Sequence, residues 1–232
     1  MFTFRKFTVD DRLTAMKVGT DGVLLGAWAG GGTRILDIGT GSGLIALMMA
    51  QRFPDAGIVG IDIDDDACRQ ARENVKASPF AGRIEIIGAS LQDYSEMAEK
   101  GSFDAIVSNP PYFQKSLKPE DARRSIARHN DTLTFRELVA CSKVLLKDGG
   151  SLSVIGPASA EDDIESEAII SGLTTRRLLT MRSKPGKPVS RFMIELKKGF
   201  STDYSKSEEV LSCDGGQRSE WYWNLTKDFY IK

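Results

Sequence analysis

A glycine-rich turn between an apolar strand and an apolar helix is the feature that most restricts the fold of this chain. Residues 34–38 are mostly apolar, and the turn after them has the pattern Asp37-x-Gly39-x-Gly41-x-Gly43. Glycine permits backbone conformations closed to other residues and lets a ligand approach the bare main chain. The spacing differs from the Gly-x-Gly-x-x-Gly of dinucleotide-binding turns. Because a carboxylate at Asp37 repels a pyrophosphate and suits a cation or an amine, the pattern predicts another kind of ligand turn.

Apolar strands and helices alternate along the rest of the chain. Short apolar runs predict strands, and longer periodic segments predict helices. The strands are expected at residues 57–64, 83–88, 103–108, 151–156, 174–181 and 191–197, and the helices at 67–78, 135–146 and 161–171. The connection between the last two strands is too short for a crossover helix, so this pair should be antiparallel. The alternation predicts a doubly wound α/β fold, in which ligands bind at the carboxyl ends of the strands.

At 232 residues the chain is expected to form a single domain with three parts. Residues 1–33 form an amino-terminal segment or lid that opens with a strand or hairpin arm. It continues into a helix near Val23, for which Thr20 or Asp21 is the candidate cap. Residues 34–200 form the catalytic core, and residues 201–232 form an aromatic tail that we expect to pack on the domain.

Polar residues stand where the second and third predicted strands end. Asp62 follows the glycine turn by about twenty residues, and a carboxylate at that position accepts hydrogen bonds from both ribose hydroxyls of an adenosine ligand. Asp64, Asp65 and Asp66 are expected to cap the next helix. The third strand ends at residues 89–93, whose polar side chains are placed to meet an adenine ring.

The fourth strand ends in Asn109-Pro110-Pro111-Tyr112. Two prolines cannot continue a helix and fix the backbone in a stiff turn. This turn presents an amide side chain, free carbonyls and an aromatic ring at the ligand edge of the sheet. The alternative is a strand stop without chemistry, and the glycine turn and Asp62 favour the functional interpretation.

Basic residues are concentrated in two segments, although 31 basic and 32 acidic residues nearly cancel in the whole chain. Residues 113–132 form a long basic segment beside the candidate site, and such a loop is usually functional or disordered. Residues 176–198 hold eight basic residues and one acid. A basic hairpin there is a candidate phosphate-backbone contact, and an ordinary solvated edge strand is the alternative.

Several classes of protein are excluded by what the chain lacks. Three scattered cysteines form neither a zinc motif nor a disulfide framework, so we expect no metal. No signal peptide and no apolar run of roughly 18 residues is present, which predicts a cytoplasmic protein without a membrane span. His129 is the only histidine, and we expect it to serve structure or substrate positioning.

The glycine turn, Asp62 and Asn109-Pro110-Pro111-Tyr112 together resemble the class I S-adenosylmethionine-dependent methyltransferases. The resemblance covers nearly the whole chain. It implies a Rossmann-like, seven-stranded, mostly parallel sheet with an antiparallel last strand and helices on both faces. Residues 16–28, 126–129, 184–188 and 228–230 are similar to motifs of the bacterial tRNA (adenine-N6)-methyltransferases that modify valine tRNA. That family acts on the adenine 3′ of the anticodon.

The resemblance implies S-adenosylmethionine as cofactor and the anticodon loop of tRNA as partner. The implied cofactor-binding residues are Lys17, Thr20, Asp37, Gly39, Gly41, Gly43, Asp62, Ile63, Ser90, Leu91 and Asn109. The implied catalytic residues are Asn109, Pro110, Pro111 and Tyr112. The candidate RNA contacts are Phe113, Arg123, Arg124, Arg128, His129, Lys184, Lys187 and Arg191. Ser90 departs from the pattern, since members of that family often carry an acid there.

Three other functions remain as alternatives. A glutamine methyltransferase that acts on a release factor shares the Asn-Pro-Pro-Tyr turn, but such enzymes carry a larger helical amino-terminal domain. The glycine spacing and the Asn-Pro-Pro-Tyr turn argue against a nicotinamide-dependent oxidoreductase. A non-catalytic RNA-binding module is disfavoured because the site residues are intact.

Overall fold

The computed structural model of the chain describes residues 1–111 and 133–231. The predicted site residues Tyr112, Phe113, Arg123, Arg124, Arg128 and His129 therefore lie outside the described residues. Among the described residues, no helix has the length and apolar character needed to cross a membrane.

A short hairpin opens the chain, with β1 (Phe2–Thr3) antiparallel to β2 (Thr8–Val9). This confirms the expected hairpin arm. The carboxyl-terminal tail closes over it. The amide of Arg5 donates to the carbonyl of Phe229 at 2.8 Å, and the rings of Phe4 and Tyr230 stack with centroids 6.0 Å apart. The aromatic tail thus packs on the domain, as predicted.

Eight strands form the central sheet of the described chain. Their bounds are β3 (Arg34–Ile38), β4 (Gly57–Asp62), β5 (Ile84–Gly88), β6 (Phe103–Ser108), β7 (Leu146–Pro157), β8 (Leu173–Arg182), β9 (Val189–Lys198) and β10 (Ser205–Val210). They lie in the order β10-β8-β9-β7-β6-β3-β4-β5. Strand β9 is antiparallel to β7 and β8, whereas the other neighbouring pairs are parallel. The Rossmann-like sheet and its antiparallel strand are confirmed.

The predicted count of seven strands is one short, because β10 extends the sheet beside β8. Its residues, Ser-Lys-Ser-Glu-Glu-Val, have no apolar alternation, and most of them are exposed. The backbone ladder to β8 therefore defines this strand, which hydrophobic periodicity cannot detect. Its charged side chains suit an edge strand, since they discourage pairing with another chain.

Seven helices of the described chain cover both faces of the sheet. Their bounds are α1 (Thr20–Trp28), α2 (Leu44–Arg52), α3 (Asp65–Lys76), α4 (Leu91–Met97), α5 (Phe135–Leu145), α6 (Glu161–Ser171) and α7 (Glu220–Thr226). One apolar cluster packs beneath α1, α2, α3 and α7 and includes Leu47 and Tyr222. A second packs beneath α4, α5 and α6 and includes Leu138 and Ile164.

The helix starts of α1 and α3 test two predictions about caps. Helix α1 begins at Thr20, and its cap position is Gly19, with no side-chain hydrogen bond. The predicted cap at Thr20 or Asp21 is therefore wrong, because both residues already belong to the first turn. Asp64 caps α3 as predicted, since its side chain accepts hydrogen bonds from the amides of Asp66 and Ala67.

Candidate active site

A cleft of about 760 Å³ lies where β3, β4, β5 and β6 end. Their parallel arrangement brings the carboxyl ends of these four strands to one edge of the sheet. Residues 14–22 border the same space. The predicted site residues in its lining are Lys17, Thr20, Gly39, Gly41, Asp62, Ile63, Ser90, Leu91, Asn109, Pro110 and Pro111.

The glycine turn offers bare backbone to this cleft. Gly39, Gly41 and Gly43 all have left-handed φ angles, of 69°, 55° and 79°, which other residues adopt only with strain. A side chain at Gly39 would meet nothing within 4 Å, and one at Gly41 would approach only the Gly39 carbonyl. Gly43 differs, because a Cβ there would lie 3.4 Å from Ala71 of α3. That distance is an ordinary van der Waals contact, and Gly43 lies outside the cleft lining, where its left-handed φ serves the cap position of α2.

Asp37 lies beneath the turn, outside the cleft lining, and its side chain is fully buried. Its Oδ2 accepts hydrogen bonds from the hydroxyl of Thr40 at 2.7 Å and the amide of Ala46 at 3.0 Å. Its Oδ1 has no partner among the described residues. Burial raises the pKa of Asp37 to about 7, against the opposite effect of these two hydrogen bonds. Asp37 therefore supports the turn from below, where a direct cofactor contact was expected.

Asp62 ends β4 directly beside the glycine turn. Its Oδ2 accepts a hydrogen bond from the amide of Gly41 at 2.8 Å, and its Oδ1 accepts one from the amide of Asp64 at 3.0 Å. Each carboxylate oxygen can accept a second bond. Asp62 therefore holds the turn and still presents acceptors to the cleft, which suits the predicted ribose contact.

Residues 10–19, which we call the strap, precede α1, and residues 14–19 of the strap border the cleft. Lys17 gives the strap its shape, since its ammonium donates to the carbonyls of Asp11, Arg12 and Thr14 at 2.7, 3.2 and 2.9 Å. An ammonium has three N–H donors, and these carbonyls occupy all of them. Lys17 therefore holds the strap and also lines the cleft, and the cofactor contact that the resemblance implies for it stays a prediction.

The end of β5 supplies a polar and an apolar side chain to the cleft. Ser90 caps α4, where its hydroxyl donates to Asp93 Oδ2 at 2.7 Å and accepts from the Asp93 amide at 3.0 Å. Leu91 is buried, and Ile63 across the cleft is 63% exposed. Two apolar side chains and a hydroxyl in one cleft lining suit a flat, partly polar ring.

Asn109, Pro110 and Pro111 form the side of the cleft next to the glycine turn. Ser108 pairs with Ile38 in the β3–β6 register, and its hydroxyl donates to the Ile38 carbonyl at 3.0 Å. That bond ties the end of β6 to the start of the turn at Gly39. The side chain of Asn109 is half-buried and makes no hydrogen bond to another described residue. Its amide therefore remains available to a ligand.

The basic segment at residues 176–198 has mostly structural partners. Arg176 and Arg177 both pair with the fully buried Glu195. The other ion pairs are Arg182 with Glu208, Arg191 with Asp21, and Lys198 with Asp148. Arg191 was a predicted RNA contact, and here it joins β9 to α1. Lys184 and Lys187, also predicted RNA contacts, are exposed at the tip of the β8–β9 hairpin.

Asn74 was not predicted from the sequence as a residue near the cleft, whereas Gln92 belongs to the polar segment 89–93 that was predicted to meet a ligand. Gln92 lines the cleft and donates to Glu137 of α5 at 2.9 Å. Asn74 of α3 is buried and bonded to the strap. The available signal was a polar pair, Gln70 and Asn74, on the face of α3 that packs inward. Within the described residues, no group of three or more His, Cys, Asp or Glu side chains is placed to hold a metal ion.

Comparison with known proteins defines the class. Residues 23–164 match the methyltransferase small domain family. A solved Agrobacterium tumefaciens structure, described as a predicted O-methyltransferase, has the same fold, with a TM-score of 0.72 at 18% identity over 90% of this chain and 96% of that one. A ribosomal protein L11 methylase from Lactobacillus delbrueckii aligns with a TM-score of 0.56 at 20% identity, over 83% and 84% of the two chains.

Much higher identity is found with curated bacterial proteins. The tRNA1(Val) (adenine(37)-N6)-methyltransferase of Bacteroides thetaiotaomicron is 45% identical over 99% of this chain and 97% of its own length. The enzyme of the same name from Aeromonas hydrophila is 40% identical over 100% of this chain and 97% of its own. The chain is therefore a methyltransferase of the small-domain family and belongs to the family of these tRNA-modifying relatives.

Proposed function

We propose that this protein transfers a methyl group from S-adenosylmethionine to the exocyclic N6 amine of adenine 37 in valine tRNA. The observation that carries the proposal is the position of Asn109-Pro110-Pro111 beside the glycine turn in one cleft. Asn109 and the two prolines line the same space as bare glycine backbone and the Asp62 carboxylate. The names and near full-length identity of the relatives support this substrate. A tRNA substrate also fits the predicted cytoplasmic location.

The cleft residues fit S-adenosylmethionine as the cofactor. Open space above Gly39 and Gly41 admits a ligand close to the main chain, and Asp62 presents acceptors for ribose hydroxyls. Ile63 and Leu91 offer apolar surfaces for the adenine ring, with the Ser90 hydroxyl at its edge. When bound, the cofactor supplies an electrophilic methyl group on a sulfonium centre. Thr20 lines the cleft as well and is proposed to contact the cofactor.

Asn109 and Pro110 prepare the acceptor amine. The lone pair of an aromatic amine is conjugated with its ring, so the nitrogen is a weak nucleophile. The side-chain oxygen of Asn109 and the carbonyl of Pro110 each accept one N–H of the amine, which favours a pyramidal nitrogen with an available lone pair. Pro111 keeps these acceptors rigid, and Tyr112 is proposed to stack on the base. The contribution of the chain is therefore positioning and electrostatic stabilisation.

A base in an anticodon loop suits this cleft, because it reaches a pocket at lower cost than a base inside a duplex. Phe113, Arg123, Arg124, Arg128 and His129, which follow Asn109-Pro110-Pro111 in the sequence, remain proposed RNA contacts. Lys184 and Lys187 are proposed to contact the phosphate backbone from the hairpin tip. Arg191 is a weaker candidate, because its guanidinium already pairs with Asp21 at 2.9 Å.

The direct test is methylation of a purified valine tRNA transcript with methyl-labelled S-adenosylmethionine, followed by mass spectrometry of the nucleosides. We expect labelled N6-methyladenosine from the natural transcript and none from a matched transcript with guanosine at position 37. Cells without the gene should lack this nucleoside in valine tRNA. An unlabelled transcript together with a labelled release-factor glutamine would overturn the proposal in favour of a protein glutamine methyltransferase.

A further inference from the structure

Asn74 is a buried polar residue on α3 that apolar packing does not explain. Its side chain is 5% exposed, and all the hydrogen-bonding groups of its amide have partners. The Oδ1 accepts from the amide of Asp10 at 2.9 Å, and Nδ2 donates to the carbonyls of Asp10 at 2.7 Å and of Ser42 at 2.8 Å. Residue 74 thus contacts two segments that are 64 and 32 positions away in sequence.

These partners are parts of the two walls of one cleft. Asp10 begins the strap, whose later residues border the cleft, and Ser42 lies within the glycine turn. With Asp10 the side-chain amide forms a two-way pair like that between neighbouring strands, because it bonds both the N–H and the C=O of one residue. The bond to Ser42 fixes the same side chain to the turn. Asn74 therefore sets how far the strap lies from the glycine turn.

Hydrogen bonds within the strap connect its other residues to the part that Asn74 holds. Lys17 binds three strap carbonyls, and the amide of Val18 donates to Asp11 Oδ2 at 2.9 Å. Gln70, one helical turn before Asn74, accepts from the Leu13 amide at a longer 3.4 Å. Because the strap is tied to itself in this way, a shift at Asp10 is transmitted to the cleft border.

We propose that Asn74 is a positioning residue that holds the strap against the glycine turn and so shapes the cofactor end of the cleft. The inference rests on the proposed function, because it takes the cofactor to lie against that turn. Asn74 does not touch the reacting groups. Its loss should weaken cofactor binding and leave the affinity for tRNA largely unchanged.

The test compares Asn74→Ala and Asn74→Ser with Val75→Ala. Val75 is a matched control, since it is equally buried on the same helix but packs in the apolar cluster. Hydrogen–deuterium exchange on the protein without ligand measures directly how well the strap amides are protected. We expect about tenfold faster exchange over residues 10–19 in Asn74→Ala, a smaller change in Asn74→Ser, and none beyond about twofold in Val75→Ala.

Calorimetry then measures the affinity of the cleft for S-adenosylmethionine. We expect the Kd to rise about tenfold in Asn74→Ala and to stay within about twofold in Val75→Ala, with the KM for tRNA unchanged in both. Unchanged strap exchange in the Asn74 variants, or equal Kd values for the Asn74 and Val75 variants, would overturn the proposal. If the unaltered protein binds no S-adenosylmethionine, the proposed function fails, while the exchange data still decide whether Asn74 holds the strap.

Discussion

Two fully buried acidic side chains, Glu195 in one half of the sheet and Asp37 in the other, differ in their partners. Glu195 is paired with cations, and Asp37 has only neutral hydrogen-bond donors. Glu195 on β9 is paired with Arg176, at 2.9 Å, and with Arg177. Asp37 on β3 has no cation, only the hydroxyl of Thr40, the amide of Ala46 and one oxygen without a described partner. Charge in the β7–β10 half is neutralised within the fold. In the β3–β6 half, polar groups beneath and around the cleft keep hydrogen-bonding capacity that no described residue uses. Ligand chemistry is expected in this half.

The largest effect should come from the cleft. Asn109→Ala removes an acceptor for the substrate amine, so we expect methyl transfer to fall by about 10³-fold, comparable to the loss of one oxyanion-hole group. The Kd for S-adenosylmethionine should change little, because glycine backbone and Asp62 supply most of its proposed contacts. Single-turnover kinetics and calorimetry measure the two quantities.

Asn224→Ala is the matched control for Asn109→Ala, because Asn224 is an exposed asparagine on α7, outside the cleft lining. It should leave both methyl transfer and cofactor affinity unchanged. Equal loss of cofactor binding and turnover in Asn109→Ala would contradict the assigned role.

The next effect concerns stability in the other half of the sheet. Glu195→Gln leaves two partly exposed guanidinium groups without the charge of their buried partner, so we expect the free energy of unfolding to fall by about 2 kcal/mol. Denaturant titration measures the change. Glu208→Gln is the control, since Glu208 and Arg182 form a partly exposed pair whose loss should cost at most about 1 kcal/mol. If both substitutions cost the same, burial is not what makes Glu195 important.

Asp37 should make stability depend on pH. Its carboxyl holds a proton up to about pH 7 in the folded state, whereas the unfolded chain loses it near 3.8. The folded state therefore binds more protons between these values, so stability falls as pH rises through this window, by up to about 1.4 kcal/mol per pH unit.

Asp37→Asn cannot ionise and keeps an oxygen acceptor for Thr40 and Ala46. Unfolding curves at several pH values should show the variant gaining stability relative to the unaltered protein between about pH 4 and 7. Parallel pH profiles for the two proteins would show that Asp37 is ionised in the folded state.

The smallest effect should come from the hairpin tip. Lys184→Ala combined with Lys187→Ala removes two exposed charges without breaking an ion pair among the described residues. We expect tRNA affinity to fall a few-fold, with the salt dependence of binding reduced by about one unit of slope per lysine contact. Lys227→Ala removes an exposed lysine at the end of α7 and should change neither quantity. If the dependence of tRNA affinity on salt concentration is unaltered in the double variant, the hairpin tip is not part of the RNA interface.

Several parts of the fold and site were predictable because they depend on local patterns. The glycine turn, the stiff end of β6, the Asp64 cap and the antiparallel hairpin each follow from a few adjacent residues. Strand β10 was not predictable, since its polar sequence is a strand only because β8 offers a backbone ladder. The start of α1 was misplaced because Gly19 takes the cap position without a side-chain hydrogen bond.

The sequence by itself determined the α/β class, the succession of the strands along the chain, and the residue types available at their carboxyl ends. The tertiary structure decided which polar residues line the cleft. Asp37 and Lys17 are both implied cofactor contacts, yet Asp37 is buried under the turn, whereas Lys17 lines the cleft and binds three strap carbonyls. Asn74 looks like an ordinary helix residue, yet it joins two distant segments. Hydrogen bonds between residues far apart in sequence depend on how the elements pack, so they cannot be predicted from local sequence patterns.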